Sequence, residues 1–327
     1  MKGNLWVLAE QWRGQLSEIT FELMALGREL AEQLGVPFEA VLFGHNAKEL
    51  AGQLGVADKV LYVDHALLKE PSPETYAQAL EQLVKAKQPG AVLVPLTNVM
   101  MDVAALAPAR LGAAFVNWCK GALVSEGKLQ ASAVLYGGKI EALVRVEAEP
   151  AVLGILPGVR PAEKGRKEKA VPVEEAGVTL ETPRVRLNKY VEPEAGDVDI
   201  TQQEVLVSVG RGIQTQNNIE LAQELAEALG GAVSGSRPVI DQGWLPQSRQ
   251  VGKSGASVKP KLYLALGISG APEHVEGMKN AALIVAINTD PHAPIFNVAH
   301  YGAAMDMFDL LPRLTEEIKK RQVSRVT

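Results

Sequence analysis

Apolar residues recur at two different spacings along this chain, and the change of spacing marks out its elements. Over 17–35, Ile19, Leu23, Leu26 and Leu30 return at three- and four-residue steps, which predicts an amphipathic helix stopped at Gly35. The run 71–87 has the same texture and predicts a second helix. Around these helices lie short continuous apolar runs at 5–10, 39–44, 59–65 and 90–96. Strands separated by helices predict a parallel α/β sheet covered on both faces. From 113 to 156 the chain is rich in β-branched residues, turns at Gly137-Gly138 and has no long helical period. That texture predicts antiparallel hairpins added to the first sheet.

Residues 157–203 break the alternation. Pro157, Pro161, Pro172, Pro183 and Pro193 sit among charge-rich stretches such as EKGRKEK, the composition of a connector. The alternation then restarts. Strands are predicted at 204–210, 231–236, 261–267 and 283–288. A helix over 217–231 has an Asn cap and a Gly stop, and a last amphipathic helix covers 307–321. The expected fold is α/β with two domains, 1–195 and 196–327, each a mainly parallel sheet flanked by helices. The second is Rossmann-like.

Composition narrows the function classes. A length of 327 residues fits two domains, and 47% hydrophobic with 22% charged residues allows a sizeable core. A net charge of −5 supplies no broad basic face, so no nucleic-acid partner is expected. The single cysteine, Cys119, excludes an internal disulfide and fits a reducing compartment. The first strand-like run begins at Asn4, which leaves no room for a signal or transit peptide. No apolar stretch reaches the roughly 20 residues of a bilayer span. A cytoplasmic protein without membrane insertion is expected. Neither Cys-x-x-Cys nor His-x-x-x-His occurs among Cys119 and the histidines at 45, 65, 274, 292 and 300, so no metal site is expected.

Three loops imitate known chemistry. Gly252-Lys253-Ser254 has the end of a phosphate-wrapping P-loop, but the required first glycine falls on Gln247. Gly267-Ile268-Ser269-Gly270-Ala271 resembles a hydrolase nucleophile elbow with its last glycine misplaced. Gly210-Arg211-Gly212 begins a dinucleotide fingerprint whose third glycine is Thr215. What remains is placement. The polar loops GRGIQTQNN, SGSRP, GISGAPEH and INTDPHAP each follow a predicted strand, so in a parallel sheet all open at the carboxyl edge, where ligands bind. Their glycines allow close backbone approach, Arg211 and Arg237 supply charge, and Ser236, Ser254 and Ser269 supply hydroxyls. This suits a nucleotide-type cofactor; the alternative is a set of ordinary tight turns.

The same loops resemble the alpha subunit of electron transfer flavoprotein, the FixB-like family. The resemblance is carried by GRG at 210–212, SRPVIDQGW at 236–244, QVGKSG at 250–255, PKLYLALGISGAPEH at 260–274, AINTDPHAPIF at 286–296 and YGAAMD at 301–306, and more loosely by GILPGVRP at 154–161. It implies FAD held mainly by the second domain and a beta subunit completing a heterodimer. It implies electrons passing from partner dehydrogenases to a further redox acceptor, such as a membrane quinone reductase. The implied FAD-contacting residues are Arg211, Ser236, Arg237, Gln250, Val251, Gly252, Lys253, Ser254, Ser269, Gly270, Ala271, Pro272, Glu273, His274, Asn288, Asp306 and Met307. In that scheme Ser254 offers its hydroxyl to flavin N5, Arg237 lies over the isoalloxazine and His274 approaches the C2 carbonyl. Charge and donors there favour an anionic reduced flavin or semiquinone. Asn288 and Asp306 hold the adenosine end, or are ordinary turn and cap residues. Lys253, Pro272-Glu273 and His300 depart from the family pattern. Two rival readings stay open: a bifurcating complex with a second FAD in the beta subunit that oxidises NADH, and a non-redox nucleotide-binding regulatory module.

Overall fold

Leu5–Ala9 (β1) is buried at all five positions, as a strand covered on both faces must be. Its alternate residues face opposite ways. Leu5 and Val7 pack with Leu23, Leu26 and Phe38; Trp6 and Leu8 pack with Tyr76, Leu80 and Val103. The computed structural model describes residues 1–190 and 198–326, with 322–326 described by backbone alone. The described chain divides into two compact units, Met1–Lys189 and Tyr190–Thr327. The boundary expected at 195/196 lies outside the described residues.

In the N-terminal unit, β1 leads through a small hairpin (β2, Gln11–Trp12; β3, Gln15–Leu16) into α1 (Glu18–Leu34). Then follow β4 (Phe38–Gly44), β5 (Lys59–Asp64), α2 (Pro73–Lys87), β6 (Ala91–Pro95) and α3 (Met101–Leu111). The added strands are β7 (Ala114–Ser125), β8 (Lys128–Leu135), β9 (Ile140–Arg145), β10 (Ala151–Ile155) and β11 (Val173–Glu175). The sheet order is β11-β5-β4-β1-β6-β10-β7-β8-β9. Only β8 and β9 join it antiparallel.

Two features depart from the sequence reading. The hairpins expected over 113–156 form between β7, β8 and β9, but β10 lies parallel between β6 and β7. Its five residues are all buried, which is the environment a continuous apolar run requires and an edge hairpin cannot provide. Helix α3 was not predicted, because its small residues and the internal Pro108 blur the helical period.

The connector expected over 157–203 is built onto this unit as far as Arg184. Arg160 clasps Glu29 at 2.7 and 3.1 Å, and the Arg166 guanidinium lies 4.2 Å over the Phe21 ring. β11 pairs parallel with β5, and Val171, Val173, Val178 and Leu180 pack on the two faces of the core. Gln82 holds Thr179 by both backbone groups, donating to its carbonyl at 2.7 Å and accepting from its amide at 3.0 Å. Gln82→Ala should therefore release residues 176–184 by about 1 kcal/mol, the usual worth of such bonds. Faster hydrogen exchange confined to this segment is the expected readout; unchanged exchange at Thr179 would show that the pairing holds nothing.

The C-terminal unit contains β12 (Val205–Val209), α4 (Ile219–Ala228), β13 (Ala232–Gly235), α5 (Arg237–Asp241), β14 (Leu262–Leu266), α6 (Pro272–Met278), β15 (Leu283–Asn288), β16 (Tyr301–Ala304) and α7 (Met307–Val326). Its sheet is parallel throughout, in the order β13-β12-β14-β15-β16. One face packs Val207, Val209, Leu264 and Leu266 against Ala222, Leu225 and Leu311 of α4 and α7. The other buries Leu206, Tyr263, Ala265, Met278 and Ile284. Asn218 precedes α4, but its side chain makes no cap; it donates instead to the Ile213 carbonyl at 2.8 Å. The Gly stop is real: Gly230 has φ 67° and Gly231 donates to Ala226.

Candidate functional site

Strand order in the C-terminal sheet reverses between β12 and β14, so the loops leaving these two strands diverge and open a crevice at their carboxyl ends. Gly210 donates to Leu266 at 2.8 Å and Gly212 to Gly267 at 3.2 Å. A Cβ on Gly210 would stand 2.3 Å from the Gly267 carbonyl, so the two loops touch backbone to backbone. Ser236 leaves the end of β13, Arg211 follows β12, Ser269 and Gly270 follow β14, Asn288 ends β15, and Asp306 follows β16. Five parallel strands thus deliver the expected residues to one edge. Arg211, Arg237, Lys253, Ser254, Ser269, Ala271, Pro272, Glu273 and Asp306 are exposed there; Ser236, Gln250, Val251, Gly252, Gly270, His274 and Met307 are buried.

Hydrogen bonds stitch the edge together. Ile295 donates to Ser269 at 3.0 Å across Gly270, where a Cβ would meet the Ile295 amide nitrogen at 2.2 Å. Asn288 donates to the Ile268 carbonyl at 2.9 Å and accepts from the Asp290 amide at 3.0 Å. Asp306 accepts from the Phe308 amide at 2.9 Å at the start of α7. Met307 is buried against Gly267. Asn288 and Asp306 therefore make the bonds of a turn residue and a cap residue. Arg237 pairs with Asp241 at 3.3 Å.

The loop 250–255 docks beside β13, with Val251 donating to Gly235 at 3.0 Å. Lys253 gives its amide to the Glu273 carbonyl at 2.7 Å, so that N–H is not available to a phosphate. No helix follows Gly252-Lys253-Ser254, as the missing P-loop glycine implied. Buried Gln250 donates from Nε2 to Ser254 Oγ at 3.0 Å and fixes that exposed hydroxyl.

His274, in the first turn of α6, is only 6% exposed. Its Nε2 lies 2.9 Å from the Tyr263 hydroxyl, and its buried Nδ1 closes no hydrogen bond. Burial pushes its pKa down to about 4, and the nearby Val251 backbone opposes this only in part. At neutral pH the ring is uncharged, so it offers a donor and no positive charge, unlike Arg237 and Lys253. Burial also raises the Tyr263 phenol. Tyr263 escaped sequence reasoning because, within KLYLALG, it reads as one more apolar strand position. In the sequence His300 is only a departure from the family pattern; in the fold its Nδ1 accepts the Ile284 amide at 3.0 Å, which secures the sheet next to β16. Among the described residues no group of His, Cys, Asp and Glu could hold a metal ion, and no helix is long and apolar enough to cross a membrane. Cys119 is buried, and burial pushes its thiol up to about 12.

Comparison with known proteins turns this geometry into a family. Residues 199–279 match the electron transfer flavoprotein FAD-binding domain, and residues 5–181 match the electron transfer flavoprotein domain. The chain belongs to the electron transfer flavoprotein family. This flavoprotein chain is 36% identical to the electron transfer flavoprotein subunit alpha of Thermoanaerobacterium thermosaccharolyticum, over 97% of this chain and 98% of that one. It is 33% identical to protein FixB of Azotobacter vinelandii, over 97% and 91%. It is 35% identical to the lactate dehydrogenase (NAD(+),ferredoxin) subunit LctC of Acetobacterium woodii, over 97% of this chain and 77% of that one. The cofactor of the C-terminal unit is FAD. The edge fits it physically: Arg211 and Ser269 are exposed at the carboxyl ends of β12 and β14 with the Ser254 hydroxyl on the neighbouring loop, and the buried His274 Nδ1 closes no hydrogen bond of good geometry.

Proposed function

We propose that this chain is the alpha subunit of a heterodimeric, cytoplasmic electron carrier that takes electrons from partner dehydrogenases and passes them to another redox protein, with a membrane quinone reductase one such acceptor. The observation that carries this reading is the match of the FAD-binding domain to residues 199–279, the part of the chain whose loops converge at the sheet's crevice. Bound FAD supplies the electron-accepting and electron-releasing chemistry. Arg211, Ser236, Ser269 to His274, Asn288, Asp306 and Met307 hold the cofactor along the edge, with Gln250 to Ser254 and Arg237 at the flavin end. Because Gln250 Nε2 donates to Ser254 Oγ, the Ser254 proton is left to be donated outward, to flavin N5. Lys253 and Arg237 are the cations at that end. The 1–195 domain meets the beta subunit. The far end of the β8–β9 hairpin supports this: Leu135, Tyr136, Ile140 and Leu143 there are all exposed.

A second reading, a subunit of a bifurcating complex with a second FAD in the beta subunit and NADH as donor, is favoured by the likeness to the NAD(+),ferredoxin-named LctC. The flavin count of the copurified heterodimer separates the two: one FAD supports simple carriage, and two with NADH oxidation support bifurcation. A colourless complex that cannot be reconstituted with FAD would overturn both. For Ser254→Ala we expect FAD retained and its reduction potential lowered by about 30–60 mV. That range corresponds to the roughly 1.5–3 kcal/mol of a hydrogen bond to a charged group in a two-electron couple. An unchanged potential would remove the N5 contact.

A further inference from the structure

We propose that Tyr263 is a positioning residue for the flavin site: its buried phenol donates to Nε2 of His274, holds the imidazole as the Nδ1–H tautomer, and so directs an N–H, not a lone pair, toward loop 250–255 and the cofactor edge. The proposal rests on the FAD reading above.

The hydroxyl and Nε2 are 2.9 Å apart, and the two rings lie 6.1 Å apart between centroids. Distance alone leaves two arrangements, since either atom can donate. The surroundings decide between them. If Nε2 carried the proton and donated to the phenol oxygen, the phenol's own proton would need another acceptor. Tyr263 is fully buried, so water cannot serve. Ser208 and Ser234, on the neighbouring strands β12 and β13, are close enough to influence the phenol's titration. Neither serine Oγ has another partner, so these hydroxyls can meet the phenol in either arrangement and do not decide between them. The first arrangement gives the ring's single N–H to the phenol and leaves none for the Val251 carbonyl beside it, whose own amide is already given to Gly235. Donation from Tyr263 to Nε2 leaves the phenol satisfied and moves the imidazole proton to Nδ1. Both groups are uncharged in this setting, because burial disfavours the phenolate and the imidazolium alike.

The consequence reaches the flavin end through packing. The Val251 backbone lies close to the imidazole, and Glu273, the residue before His274, accepts the Lys253 amide. Gly252 approaches so closely that a Cβ there would stand 3.0 Å from the Glu273 carbonyl. A fixed His274 thus backs the loop that carries Ser254. Tyr263 is the second residue of β14, the central strand of the sheet, which gives the ring a reference that does not move with the loops.

The test is 15N NMR of the histidine rings in the FAD-loaded protein, joined to a double-mutant comparison of flavin potential. The wild type should give the Nδ1–H signature for His274, and Tyr263→Phe a mixture of tautomers. Tyr263→Phe should also shift the FAD potential, and that shift should vanish in a His274→Gln background. An Nε2–H signature in the wild type overturns the proposal, and this measurement stands even if Tyr263→Phe fails to fold. An unchanged tautomer in Tyr263→Phe, or an equal potential shift with and without His274, overturns it too. A protein that binds no FAD would sink the cofactor reading instead, while the tautomer in the apoprotein would still decide the Tyr263–His274 bond.

Discussion

Gly270→Ala is expected to lower the stability of the C-terminal unit by about 2–4 kcal/mol and to strip FAD from the purified protein. Two costs act together. Gly270 has φ 87°, which a residue with a Cβ adopts only under strain of about 1–3 kcal/mol. The new Cβ would also stand 2.2 Å from the Ile295 nitrogen and 2.5 Å from its Cα, and both are backbone atoms. Neither segment can yield by rotating a side chain, so the 269–295 contact must open, and overpacking of this kind costs about 1–3 kcal/mol. Opening it breaks the Ile295 to Ser269 hydrogen bond and moves the turn proposed to face the diphosphate. Urea unfolding and the flavin absorbance per chain read the two effects. Gly243→Ala is the control: φ there is 72°, but a Cβ would meet nothing within 4 Å. It should show backbone strain alone, with FAD retained. Wild-type stability and flavin content in Gly270→Ala would refute the close-approach role.

The second large effect is a loss of stability in acid that belongs to His274. Its pKa in the folded protein is about 4, below the ordinary 6.5, because burial disfavours the imidazolium. Between these values the unfolded chain binds a proton that the folded chain refuses. Stability therefore rises with pH across that window and is lost as pH falls from about 6.5 to about 4; above 6.5 both states are neutral and the contribution is flat. The 2.5-unit gap (6.5 minus 4) corresponds to about 3 kcal/mol at most. Carboxylates titrate in the lower part of this range as well, so the difference in slope between wild type and His274→Gln isolates the histidine. Denaturant midpoints at pH 7, 6, 5 and 4 supply the slopes. Parallel slopes in the two proteins would mean that His274 is reached by water and protonates in the folded state.

The readable and the hidden parts of the site differ by sequence range. The placement of four polar loops after four strands was legible, because a parallel strand buried on both faces must be apolar throughout and must end where polarity begins. Rejection of the P-loop was legible from a single position, Gln247. The helices α5 and α6 were not, since five and seven residues are too few to display a helical period. Asn288 and Asp306 show in the sequence only as polar residues after strands, and the turn and cap bonds that they make with the Asp290 and Phe308 amides needed the tertiary structure. The charge state of His274 was equally closed to inspection of the chain, because it depends on burial.

The sequence by itself determined the α/β class, the positions of the long helices and buried strands, the carboxyl-edge grouping of Arg211, Ser236, Ser269 and Asn288, and the flavoprotein family. These follow from local periodicity and from motifs whose spacing is a property of the chain. Only the tertiary structure decided that β10 enters the sheet centre in parallel, that residues 157–184 are bound to the N-terminal unit, and that Tyr263 meets His274. Each of these depends on partners brought from elsewhere in the chain, such as Glu29 with Arg160 or Lys253 with Glu273. A polar group's role is set by what remains unsatisfied once distant backbone and side chains have closed around it, and no window along the sequence contains that information.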